Sequence, residues 1–412
     1  MHIVHVTHRA WPVIGGSERH VQEIARRQVA DGHRVTIVAT DAADLSALWN
    51  RRGRRIEPGA PEEYQEVRIK RLPTRCLPLG DYAFAALRRL TWLADRASVR
   101  AALSLARFSP WVPQLQQALT AEAADLLFAW NITLEGLTVA TAREARQRGV
   151  PWIAIPLLHL GRSRFYTMRH QLDLLRRAQG TLAQTPKDQA FMLEHGLDAD
   201  KVHVAGPGVN LADGEHADGE RFRQKYGISG PLVLSMGTLC YDKGTHHLIA
   251  AARRLRNADH RLTLILIGPE GENVKSITEQ LPEETPALFR HLGQLSEREK
   301  WDAVDAADVV ALPSRTESFG IVFLEAWARS KPVIGARAGA VPEVIDDGMD
   351  GLLVEFGDIA GLAKALAKLL DNPTLATEMG RRGLKKVHQM YTWDQQYAQL
   401  RAAVNEWTGN QG

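Results

Sequence analysis

Two glutamates, Glu317 and Glu325, stand eight residues apart in Ser314-Arg-Thr-Glu317-Ser-Phe-Gly-Ile-Val-Phe-Leu-Glu325. The apolar run Val309 to Leu312 before them reads as a strand, so Glu317 falls in a strand-to-helix loop, Gly320 opens the helix and Glu325 lies in its second turn. An ionised carboxylate accepts two hydrogen bonds from vicinal hydroxyls. The backbone amides of Ser318, Phe319, Gly320 and Ile321 gather at a helix N-terminus, which suits an anion such as a pyrophosphate, with Val322 completing the turn. Either glutamate alone reads as a solvated surface residue. The pair, set around the Phe319-Gly320 bend, is what points to chemistry.

Three further segments carry groups of the same kind. Gly237-Thr238-Leu-Cys-Tyr-Asp-Lys243-Gly244 follows the strand-like Leu232 to Met236 and offers a lysine donor to phosphate. It is not a P-loop, because Lys243 precedes its glycine. Gly15-Gly16-Ser-Glu-Arg-His follows Ile3 to Thr7, and its glycines let backbone approach a ligand, although a plain tight turn uses glycine equally well. His159 comes soon after the apolar run Trp152 to Ile155, with Arg162 and Arg164 nearby as cations for a charged acceptor. His2, His5 and His8 form no metal set, since strand alternation turns His5 away from the other two. No Asp-x-Asp element stands at a strand end, so no metal is expected.

Positioning these groups requires strands that end where the loops begin. Strand-like runs followed by helical periodicity occur in two series, the signature of parallel α/β sheets. The first series is Ile3 to Thr7, Val35 to Thr40, Val67 to Leu72, Asp125 to Ala129, Trp152 to Ile155, Gly180 to Gln184 and Val202 to Ala205. The second is Leu232 to Met236, Leu262 to Ile267, Phe289 to Leu292, Val309 to Leu312, Pro332 to Ala336 and Gly351 to Val354. A polar, glycine-bearing stretch after Val209 separates them, giving expected domains at 1–209 and 210–390. The last segment, 391–412, opens with a Thr392 to Gln395 capping box and carries Tyr397, Leu400, Val404 and Trp407 on one stripe, which is expected to pack back on the first domain.

A chain of 412 residues with 45% hydrophobic and 24% charged residues has material for two cores. Two distant cysteines support neither a disulfide framework nor a cysteine-based zinc site and fit a reducing compartment. No signal-peptide pattern opens the chain, and no run of apolar residues is long enough to span a bilayer. Net charge is only +3, which argues against a nucleic-acid binder, yet Arg51 to Phe108 holds 13 basic and six acidic residues. Within it, Asp81 to Phe108 mixes apolar and arginine positions as an interfacial helix on an anionic membrane would. A helix that buries its apolar stripe and solvates its arginines has the same pattern.

The Glu-x7-Glu element resembles that of glycosyltransferase family four, the retaining enzymes of GT-B fold. The likeness continues through Lys331-Pro-Val-Ile, Gly339-Ala-Val-Pro-Glu343 and Gly348-Met-Asp-Gly351, densely in the C-terminal half and sparsely in the N-terminal half. The resemblance implies two Rossmann-like domains facing each other across a deep cleft, an acceptor domain followed by a nucleotide-sugar domain. It implies that Glu325 holds the nucleotide ribose, that Glu317 contacts the transferred sugar, and that Lys243 and the Gly15-Gly16 loop meet the diphosphate. His159 would face the donor sugar. Where the family has arginine this chain has Thr238, a departure that removes a charged contact of about 1.5 to 3 kcal/mol, and Arg315 is the candidate substitute.

The expected activity is transfer of a hexose-type sugar from a UDP-, GDP- or ADP-sugar to a carbohydrate, lipid-linked or small-molecule hydroxyl. It would proceed with retention, without metal or other cofactor, in the cytoplasm, with room for peripheral contact at the inner membrane face. Two alternatives stay open: a sugar-nucleotide epimerase or hydrolase on the same fold, and a non-catalytic sugar-nucleotide-binding protein.

Overall fold

The structure is a computed structural model that describes residues 1–160, 166–271 and 289–409. The chain divides into two compact units, Met1–Leu158 with Arg162–Gly206 and Tyr397–Gly412, and His159–Gly161 with Pro207–Gln396.

The first unit is built on eight strands: β1 (His2–Val6), β2 (Arg34–Thr40), β3 (Glu63–Tyr64), β4 (Val67–Leu72), β5 (Leu126–Trp130), β6 (Trp152–Ile155), β7 (Gly180–Ala183) and β8 (Val202–Val204). Their order across the sheet is β3-β4-β2-β1-β5-β6-β7-β8. Every pairing is parallel except that of β3 with β4. The sequence runs of the first series fall on these strands because β1, β5, β6 and β7 are buried at every position, as strands covered on both faces must be. From β1 the chain winds outward through β2 to β4, then returns to the other side of β1 and winds outward through β5 to β8. The reversal makes the β1/β5 boundary a switch point, where loops from the carboxyl ends splay apart and leave a crevice.

Sequence reading missed β3. Its hairpin turns through Gln65 and Glu66, both at positive φ (52° and 63°), without the Asn-Gly or Asp-Gly pair that normally marks such a turn. Packing supplies what the turn lacks, since the Tyr64 ring stacks on Trp11 with centroids 4.0 Å apart.

The second unit has six strands: β9 (Leu232–Met236), β10 (Thr263–Ile267), β11 (Phe289–His291), β12 (Val309–Leu312), β13 (Val333–Ala336) and β14 (Gly351–Val354). They form one parallel sheet in the order β11-β10-β9-β12-β13-β14. Here the switch point lies between β9 and β12, so the loops after these two strands share one crevice.

The final helix, Trp393–Thr408, starts on the capping box: the Thr392 amide donates to Gln395 Oε1 at 3.1 Å, and the Gln395 amide donates to Thr392 Oγ1 at 3.3 Å. Tyr397, Leu400, Val404 and Trp407 join the core that holds β1, β5 and β6. Gly180 makes room for them, as a Cβ there would come within 2.1 Å of the Trp407 ring.

The helix Asp81–Ala97, expected as a solvated or membrane-facing stripe, is also anchored inward by two of its charges, Arg88 and Asp95. Arg88 Nη1 donates to both oxygens of fully buried Glu135, at 2.7 and 2.6 Å. Asp95 accepts from the backbone amides of Arg169 and His170 and pairs with His170 Nδ1 at 2.8 Å. Arg88 therefore does not belong to the exposed basic face. Leu90, Trp92 and Leu93 remain about half exposed, beside exposed Arg89 and Arg96.

Burial opposes charge on His170, but Glu135 and Asp95 outweigh it and raise its pKa above the ordinary 6.5. A raised folded-state value gives stability that is complete below 6.5 and lost as pH rises through the folded value. The gap in urea unfolding midpoint between the native chain and His170→Gln should therefore narrow as pH climbs above 6.5. A gap independent of pH contradicts this account.

Candidate functional site

The crevice of the second unit is built from glycines that permit close backbone approach. Gly237 ends β9 at φ 136°, and Gly268 after β10 has the same φ; a Cβ on Gly268 would sit 2.0 Å from the Gly237 carbonyl oxygen. Thr238 follows, exposed. The chain then makes one 3-10 turn, Tyr241–Lys243, and reverses at Gly244 (φ 72°), whose Cβ would meet the Pro313 carbonyl at 2.2 Å. That contact brings the β9 loop onto the β12 loop. Two hydrogen bonds fasten them: Ser314 Oγ and the Arg315 amide both donate to the Asp242 carbonyl, at 3.1 and 2.7 Å.

These joints place Lys243 against Glu317, whose carboxylate accepts from the ammonium. Glu317 is 8% exposed, so loss of this partner would leave a buried carboxylate without a counter-ion. Its backbone is held from the far side, because the Ala340 amide donates to the Glu317 carbonyl at 3.1 Å and Gly339 (φ 59°) approaches so closely that a Cβ would lie 2.5 Å from that oxygen. The Gly339-Ala segment quoted from the sequence thus serves to fix the glutamate.

Beyond Glu317, Ser318 is half-buried and Phe319 is buried in the core, edge-on to Tyr391, which leaves its backbone as the part that can meet a ligand. Gly320 caps the helix Ile321–Ala328 at φ 96°, and Ile321 and Val322 are half-buried in its first turn. That turn contains no acidic residue. Glu325 is 5% exposed and accepts from Lys300 Nζ at 2.9 Å. Lys300 comes from the helix Glu297–Ala306 and was not found from sequence; nothing but the fold brings it to a glutamate 25 residues away.

Arg315 lies on the same loop, yet its guanidinium is bound to the Asp242 carboxylate and lies 5.5 and 5.6 Å from the Tyr241 and Phe356 ring centroids. Its charge is matched by Asp242, as that of Lys243 is by Glu317.

In the first unit, Gly15 and Gly16 follow β1 and open the helix Gly16–Ala30. A Cβ on Gly15 would lie 2.3 Å from Glu18 Oε2, because the Glu18 side chain folds back over this helix end. Burial pushes the Glu18 carboxyl up, but a hydrogen bond from His8 and the charges of His8 and Arg9 overcome it and hold it at about 2. Arg9 Nε is 2.7 Å and His8 Nε2 3.4 Å from Glu18 Oε1. His2 and His5 have separate partners, Thr36 and Gln28 respectively. His159 is half-buried four residues beyond β6. Arg162 and Arg164 lie outside the described residues.

The structure thus gathers Gly237, Thr238, Lys243, Arg315, Glu317 to Val322 and Glu325 at one carboxyl edge, while Gly15 and Gly16 stand at the carboxyl end of β1 in the first unit.

The family model described as Glycosyl transferases group 1 matches residues 218–386, and that of a Glycosyl transferase 4-like domain matches 15–208. The D-inositol 3-phosphate glycosyltransferase of Corynebacterium glutamicum is 33% identical over 234 residues, 54% of this chain and 56% of the relative. The chain spans about half the length of this and similar curated relatives in such matches. A glycogen synthase of Mycobacterium tuberculosis is 26% identical over 395 residues, covering 92% of this chain and 88% of that one. Among solved structures, Anabaena HepE in complex with UDP and glucose superposes with a TM-score of 0.75 at 20% identity, over 98% of this chain and 99% of that one. With the two family models falling on the two sheets and the GT-B fold matched along the chain, the protein belongs to the glycosyl transferases group 1, family four.

Proposed function

We propose that this protein is a retaining, metal-independent glycosyltransferase that moves a hexose-type sugar from a nucleotide-sugar donor to a hydroxyl of a carbohydrate, lipid-linked or small-molecule acceptor. The observation that carries the reading is the Lys243 to Glu317 ion pair at the switch point, with Glu325 buried behind it. A donor diphosphate displaces Glu317 as the partner of Lys243. The released carboxylate then accepts hydrogen bonds from the sugar hydroxyls, and Glu325 holds the ribose. When the anomeric bond breaks, negative charge grows on the diphosphate, where Lys243 and the amides at the start of the helix Ile321–Ala328 stabilise it. Glu317 positions the sugar rather than attacking it, and the acceptor hydroxyl gives its proton to a donor phosphate oxygen. His159 and the Gly15-Gly16 loop are assigned to the donor sugar and diphosphate. Arg162 and Arg164 are assigned to the acceptor.

The names of the relatives support sugar transfer as the reaction class, and the UDP and glucose bound to HepE make UDP-glucose the first donor to test. Among the described residues no helix is long and apolar enough to cross a membrane. Exposed Leu79, Tyr82, Leu90 and Leu93 beside Arg89 and Arg96 support peripheral contact with an anionic membrane from the cytoplasmic side.

Calorimetry with UDP-, GDP- and ADP-sugars should reveal binding of at least one, weakened roughly tenfold or more in Lys243→Ala by loss of a charge-assisted contact. Glu317→Gln should turn over more slowly, with no covalent glycosyl-enzyme visible by mass spectrometry. Binding of none of the donors favours a non-catalytic protein, and sugar released or isomerised at full rate without acceptor favours the hydrolase or epimerase. Gly339→Ala strains a left-handed position and pushes on the Glu317 backbone, so it should cost about 1 to 3 kcal/mol of stability and lower turnover; a variant with unchanged melting and turnover removes Gly339 from the site.

A further inference from the structure

Lys300 touches one of the two site glutamates, and the chemistry above gives it no task. Its helix, Glu297–Ala306, starts after β11, and the helix Ile321–Ala328 that carries Glu325 starts after β12. Both helix starts therefore lie at the carboxyl edge of one parallel sheet. Trp301 and Val304 of the first helix and Leu324 and Trp327 of the second belong to one buried core, which fixes the distance between the two helices. Across that junction Lys300 Nζ donates to Glu325 Oε1 at 2.9 Å.

The lysine is itself held. Its Nζ also donates to Glu297 Oε2 at 2.8 Å, one turn back on the same helix, and lies 5.5 Å from the ring centroid of buried Trp301. An ordinary surface lysine keeps its ammonium in water and samples many rotamers. Here the side chain is only 15% exposed and is drawn in to meet an internal carboxylate, at a cost in rotamer entropy and desolvation. Helix packing does not demand such a pair, because apolar residues of similar volume often serve stability equally well.

The pair has a chemical use. An ionised carboxylate accepts from two neighbouring hydroxyls, whereas a protonated one is partly a donor. Contact with an ammonium favours the ionised form and fixes the plane of the carboxyl group. A carboxylate so fixed penalises a ligand that lacks one of the hydroxyls, since a lone pair is then left unmatched out of water. We propose that Lys300 is a positioning residue which, by orienting Glu325, makes the donor site select ribose over deoxyribose in the nucleotide. The proposal rests on the reading above in which Glu325 holds the ribose.

The test is calorimetry on the full chain with the UDP-, GDP- and ADP-sugars and with the 2′-deoxy and 3′-deoxy ribose analogues of whichever binds, beginning with UDP-glucose. The native chain should bind the ribose form more tightly than at least one deoxy analogue. Lys300→Met should narrow that ratio roughly tenfold, mainly by weakening the ribose form, and Lys300→Arg should restore most of it. In Glu325→Gln the ratio is already narrowed, and adding Lys300→Met should change it no further. Glu297→Gln alters an exposed side chain, so it tests the same point where Lys300→Met does not fold, and should narrow the ratio about threefold. A ratio unchanged in these variants, or ribose and deoxyribose forms weakened equally, makes Lys300 a packing residue and overturns the proposal while the transferase reading stands. A native chain indifferent to the ribose hydroxyls also overturns it, because Glu325 then does not hold them. A native chain that binds no nucleotide-sugar removes both readings.

Discussion

Burying Glu317 at the mouth of a parallel sheet is the constraint from which the second unit's site follows. A carboxylate taken out of water and left unpaired costs several kcal/mol, so its charge demands a cation in contact. Lys243 supplies it, but the lysine is 74 residues away and on a different strand loop. The two loops must therefore meet, and each close approach that lets them do so falls on a glycine: Gly244 against Pro313, Gly339 against Glu317 itself. The hydrogen bonds from Ser314 and Arg315 to Asp242 then fix the pairing in register. What reads in sequence as separate short segments is one electrostatic requirement met from several directions.

The same requirement separates two helix starts that look alike in sequence. The helix Gly16–Ala30 carries Glu18 in its first turn, buried and held ionised by His8 and Arg9, so the positive end of that helix already has an anion of its own. The helix Ile321–Ala328 has none in its first turn. With no acidic side chain in its own first turn, that end is the more receptive to a phosphate from outside. Glycine is needed at both places for different reasons: Gly15 clears the returning Glu18 side chain, and Gly320 adopts a positive φ where a Cβ would strike Phe323.

How much of this was legible depends on the distance along the chain over which each contact is made. Strand runs are local, and every long one in the first and second series lies on an observed strand, whereas the two-residue β3 is held by Tyr64 on Trp11 and leaves no pattern. Glu317, Gly320 and Glu325 were legible because one loop and one helix fix their spacing. Lys300 was not, since its role exists only where one helix lies beside another. Arg88 shows the opposite failure. Periodicity placed it among solvated arginines, but Glu135 is fully buried and required a counter-charge, so one arginine of the stripe turns inward.

That distinction among arginines changes the meaning of the basic segment. Its excess of 13 basic over six acidic residues is not a uniform coat, because Arg55 and Arg88 are consumed by Asp41 and Glu135 inside the first unit. Arg68 and Lys70 share Glu122. Arg71 is half-buried and donates to backbone carbonyls, whereas Arg51, Arg75, Arg89 and Arg96 are exposed. The rest of the chain, by subtraction from a total of +3, carries about −4. Attraction of anions is thus concentrated on the first unit, where it acts over roughly a Debye length and weakens with salt. At the first unit's carboxyl edge Arg55, fastened to half-buried Asp41, ties two loops together, and the exposed arginines beside it attract anions.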